Sequence, residues 1–70
     1  MTSPTLSAQA RAAQDILNHA NSLLEDMREL ACSVGLAPFR IANISKAIAD
    51  NQHAWIELDQ LATALELGNN

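Results

Sequence analysis

Seventy residues leave room for one domain, and a single chain this short buries too little apolar surface to be comfortably stable without a staple or a second subunit. Phe39 and Trp55 are the only aromatic residues in a chain that is 49% hydrophobic, so Ala, Leu and Ile must make the core; that composition belongs to packed helices and excludes an all-β fold. A formal charge of −4 repels nucleic-acid phosphates and anionic membranes alike.

Cys32 is the sole cysteine, so no internal disulfide forms and a reducing compartment is the simplest setting. The Met1 to Ser7 stretch has neither a basic region nor an apolar run, and no segment reaches membrane-spanning length. A cytoplasmic protein with no membrane partner is expected.

The first predicted element is a helix over about residues 4–34. Leu6, Ala13, Ala20, Met27 and Val34 recur every seven residues, flanked by Ile16, Leu23 and Leu30 and by Ala10, Leu17, Leu24 and Ala31. This stripe of three positions per heptad is wider than a two-position coiled-coil seam. Ser3 before Pro4 suits an N-cap, with Ser7 as an equal alternative.

The predicted turn, residues 35–38, follows from chemistry: Gly35 takes the left-handed conformation that ends a helix, Leu36 folds back, and Pro38 opens the next helix. The second helix is expected over about residues 38–67. Ile41, Ile44, Ile48, Asn51, Trp55, Leu58, Ala62 and Leu65 alternate by three and four, with Ala47, Ala54 and Leu61 widening the face, and Gly68-Asn69-Asn70 ends it. Two helices of about 28 residues, each about 42 Å long, fold into an antiparallel hairpin. Since two helices cannot cover stripes this wide, the expected fold class is all-α, a single helical domain over residues 1–70 that dimerises into a four-helix bundle.

Leu30-Ala31, Gly35, Ile41 and Ile44 also have the spacing of the helix-turn-helix. Together with the leucine-rich Trp55–Leu65 segment, which resembles the closing helix of phage repressor and Cro-type regulators, they make residues 22–67 similar to that family. The resemblance implies an alternative of four or five short helices, with Ser22-Leu23-Leu24-Glu25 as a capping box and a turn at Asp50-Asn51-Gln52-His53. It further implies a DNA-binding transcriptional regulator that reads bases through Arg40, Asn43 and Lys46. The sequence lacks the family's Gly-x-Ser/Thr-Gln turn, and Glu25, Asp26 and Glu29 would stand near phosphates. In general outline the chain also resembles small helical hairpins by which bacteriophages inhibit host proteins.

The chemical templates fail one by one. His19 and His53 are equidistant from Leu36 and share a level in a hairpin, but nothing at familiar spacing completes a zinc site, so no metal is expected. Cys32 falls on the outer face of the first helix without a nearby histidine, as a bystander thiol. There is no phosphate loop, nucleophile elbow or inward carboxylate pair, so no enzyme and no cofactor are expected. Asn51 either fixes register or marks a helix break, and Trp55 is expected to face Leu17 as a core anchor. Phe39, Ala42, Ala49 and Ile56 remain off the main stripe and form the expected patch for binding another protein. The expected function is a dimeric, non-enzymatic protein-binding module, an inhibitor or regulatory subunit, with the helix-turn-helix regulator as the alternative.

Overall fold

A computed structural model describes residues 5–68. Two α-helices, α1 (Leu6–Ser33) and α2 (Pro38–Gly68), lie against each other as an antiparallel hairpin. Neither is broken: α1 runs through residues 19–22 and α2 through 50–54, where the short-helix alternative needs turns. The expected Ser3-Pro4 cap and the Asn69-Asn70 end lie outside the described residues. Thr5 is the observed N-cap, its hydroxyl accepting from the Ala8 N–H at 3.1 Å.

The turn forms for the reason the sequence gives. Gly35 sits at φ 74°, a left-handed conformation that costs a residue with a Cβ but not glycine. This lets the Leu36 N–H reach back to the Ala31 carbonyl (2.9 Å) and the Gly35 N–H to Cys32 (3.2 Å), closing the helix end with the paired bonds of a Schellman motif. Pro38 opens α2, where its missing N–H costs nothing.

The seam between the helices uses the expected series on α2: Ile41, Ile44, Ile48, Asn51, Trp55, Leu58, Ala62 and Leu65 are all half-buried or buried. On α1 the docking face is not centred as the stripe suggests. The residues turned to α2 are Ala10, Gln14, Leu17, Asn21, Leu24, Arg28 and Ala31, also spaced by three and four. Every second one is polar, and each polar group is used across the hairpin. Gln14 Nε2 donates to the Trp55 carbonyl at 3.1 Å, Asn21 Oδ1 accepts from Asn51 Nδ2 at 2.9 Å, and Arg28 Nη1 donates to Ser45 Oγ at 3.1 Å. The centre of the α1 stripe, the series from Leu6 to Val34, therefore lies about 90° around the helix from the seam.

The consequence is a thin core. Among the described residues only Ala10, Gln14, Ala31, Ile48 and Ala62 are buried, and no large side chain is fully enclosed. The radius of gyration is 16.0 Å, where a compact chain of this length has about 11 Å.

Candidate functional site

The hairpin has two flanks, one on each side of the plane of its helices, and their chemistry differs. In an antiparallel pair, residues one step after the seam positions of both helices share one flank, and residues one step before share the other.

The first flank is polar and carries the one clasp that ties the helices at their open end. Arg11, from α1, projects between two carboxylates of α2, with Nη1 2.7 Å from Asp59 Oδ1 and Nη2 2.9 Å from Glu66 Oε1. Nε donates to Glu66 Oε2 at 3.2 Å, so that pair is bidentate. Gln14, almost fully buried beneath, accepts from Arg11 Nη1 at 3.0 Å. The Arg11 hydrogen bonds hold both the Asp59 and the Glu66 carboxyls below their ordinary pKa values. These three residues were not singled out by sequence reasoning, since Arg11 is 48 positions from Asp59 and no local motif joins them.

Farther toward the turn, the same flank opens into a trough of about 620 Å³ lined by Asn18, Asn21, Ser22, Glu25, Gln52, Trp55 and Ile56. Trp55 is half-buried rather than a fully enclosed anchor. Its Nε1–H is buried with no acceptor among the described residues, a donor that loses water and gains nothing in exchange. Ile56 stands at the trough's edge and is 48% exposed.

The predicted patch residues Phe39, Ala42, Ala49 and Ile56 are all exposed. Ala42, Ala49 and Ile56 follow one another at heptad spacing and so form a line down this side of α2. Phe39 lies toward the back of the helix at its start, with the Arg40 guanidinium 5.0 Å from its ring centroid, a cation–π contact.

Arg40, Asn43 and Lys46, which the alternative assigns to DNA, are exposed on the first turns of α2. Arg40 is stacked on Phe39 and Lys46 is 2.8 Å from Asp50 one turn on. With Arg11 and Arg28 spent within the hairpin, each of the four cationic side chains has a partner inside the molecule.

His19 and His53 are both exposed, and no group of three or more His, Cys, Asp or Glu among the described residues is placed to hold a metal ion. Cys32 is free and exposed. Among the described residues no helix is long and apolar enough to cross a membrane. No protein-family model matches the chain, and no curated protein or solved structure is similar to it.

The second flank is apolar along α1, where sequence reasoning gave it to the core, and mixed along α2, where Arg40, Asn43, Asp50 and Glu57 share it with apolar residues. It carries Leu6, Ala13, Ile16, Ala20, Leu23, Met27, Leu30 and Val34 of α1, with Ala47, Ala54, Leu61 and Ala64 of α2 beside them. All six large α1 residues are at least 49% exposed.

Proposed function

We propose that the chain is a non-enzymatic protein-binding module, working as a dimer and acting as an inhibitor or regulatory subunit of another protein. The observation that carries this reading is the α2 side of the polar flank. An apolar line of Ala42, Ala49 and Ile56 runs beside an open trough whose rim is amide, hydroxyl and carboxylate. Apolar anchors surrounded by polar groups are the ordinary anatomy of a protein-binding surface.

Phe39 and Ile56 are the anchors expected to contribute most, since large apolar groups dominate such interfaces. The test is co-purification with a partner from the native cell extract, followed by affinity measurement on the partner identified by mass spectrometry. Ile56→Asp and Phe39→Ala are each expected to weaken that affinity by about tenfold or more, with helicity and solution mass unchanged. Wild-type affinity in both variants would remove α2's outer side from the binding surface. Loss of helicity in Ile56→Asp would show that Ile56 belongs to the core.

A further inference from the structure

The apolar flank is the largest feature of the molecule that the hairpin itself leaves unexplained. Its α1 residues Ala13, Ile16, Ala20, Leu23, Met27, Leu30 and Val34 alternate by three and four, which is the spacing of a coiled-coil seam. Helix α1 thus carries two seams about 100° apart, each position of one preceding a position of the other by one residue. The seam that meets α2 is the more polar of the two.

We propose that the second seam is covered by a second copy of this chain, α1 packing antiparallel on α1 about a two-fold axis perpendicular to the helices near Ala20 and Leu23. This deepens the dimeric part of the functional reading. The areas fit. The chain exposes 5226 Å², whereas a compact monomer of its mass exposes about 4,200 Å². The excess of about 1,000 Å² matches the roughly 800 Å² that each partner of a stable dimer buries. The five large residues of the stripe are each at least 49% exposed, and a contiguous apolar face of this kind marks an interaction surface.

Side-chain size selects the arrangement. Antiparallel α1 pairing sets Leu23 of one copy on Ala20 of the other, Leu30 on Ala13 and Met27 on Ile16, so large groups meet small ones twice in each half and the layers interdigitate. The alternative two-fold axis, parallel to the helices, would lay α1 on α2 of the other copy. There Leu23 would meet the Asp50 level and Ile16 the Glu57 level, so the large groups of α1 would lose the small alanines that the α1 pairing sets against them.

Light scattering after gel filtration, with the full chain at micromolar concentration, is expected to give twice the 7.5 kDa chain mass. A mass of one chain with full helicity overturns the proposal. Leu30→Ala keeps helix propensity and introduces no charge, and it is expected to raise the dissociation midpoint at least tenfold while leaving helicity at high concentration intact; an unchanged midpoint places the interface elsewhere.

The native Cys32 reports the geometry, because it is exposed on the opposite flank and accepts a spin label. Antiparallel pairing separates the two labels by about 32 Å along the bundle before any lateral offset is added. The parallel axis leaves only the bundle's width, roughly 20–25 Å. A pulsed dipolar distance above about 32 Å supports the arrangement and a shorter one overturns it. The partner-capture variants lie on α2's far side, so failure of that reading leaves these measurements standing, and the reverse.

Discussion

Replacing Asn51 and Asn21 by leucine, singly and together, tests whether the polar positions of the seam act as pairs. Both residues are half-buried, and Asn51 Nδ2 donates to Asn21 Oδ1 at 2.9 Å while Asn21 Nδ2 lies 3.5 Å from the Ile48 carbonyl. In Asn51→Leu the Asn21 oxygen faces hydrocarbon with no donor, a loss of about 1–3 kcal/mol, which the partial burial of a leucine side chain offsets by about 1 kcal/mol. The single variant should therefore be less stable by up to about 2 kcal/mol, lowering the melting temperature by up to roughly 16 °C in a chain of this size. Asn21→Leu strands the Asn51 amide in the same way. In the double variant no orphan remains, so its stability should lie within about 1 kcal/mol of the native chain, with a coupling of about 2 kcal/mol between the sites. Thermal unfolding followed by circular dichroism, at one fixed protein concentration because mass action shifts the midpoint, measures all four corners of the cycle. Additive losses in the double variant would mean that the asparagines interact with water and not with each other.

Three further outcomes are expected. Because Asp59 and Glu66 are held below their ordinary values of 3.8 and 4.5, their contribution is full above those values and is lost as pH falls through the lower folded-state ones. The melting-temperature gap between the native chain and Arg11→Met should then be constant above about pH 5 and shrink as pH falls through the lowered folded-state values; a gap that persists undiminished in acid would assign it to the arginine's aliphatic stem. Gly35→Ala meets no atom within 4 Å, so its cost should be the left-handed backbone alone, about 1–2 kcal/mol by urea titration, without loss of the hairpin. Selection from random duplexes should yield no specific DNA site at physiological salt, since all four cations are engaged internally; a recovered site whose binding is lost in Arg40→Ala and Asn43→Ala would install the regulator reading.

The two helices, their turn and the docking series of α2 were legible because each has a local signal: a three-and-four spacing without interruption, or Gly35 followed by Pro38. The docking edge of α1 was not. Its seam alternates Ala10, Leu17, Leu24 and Ala31 with Gln14, Asn21 and Arg28, and apolar periodicity gives polar positions no weight, so the stripe's centre was taken for its contact face. The Gln14 amide N–H and the Asn21 side chain find their partners on the other helix. Hairpin arithmetic supplies a signal that was available, since Asn21 and Asn51 are equidistant from Leu36 just as the two histidines are. Phe39, Ala42, Ala49 and Ile56 were reached by subtraction from α2's stripe, and they are exposed because that stripe does face α1.

The single turn also sets an order of assembly. Contacts near Gly35 close loops of a few residues, whereas Arg28 meets Ser45 across 17 positions, Asn21 meets Asn51 across 30 and Arg11 meets Glu66 across 55. Loop-closure entropy grows along that series, so the hairpin zips from the turn toward its ends, and local contacts of this kind favour fast folding. The Arg11 clasp forms last and, by the same path, opens first. Amide exchange should run as a gradient down the molecule, slowest near Ile48 and fastest toward Leu6 and Leu65, and the ionic clasp acts as the latch that keeps the far end from fraying.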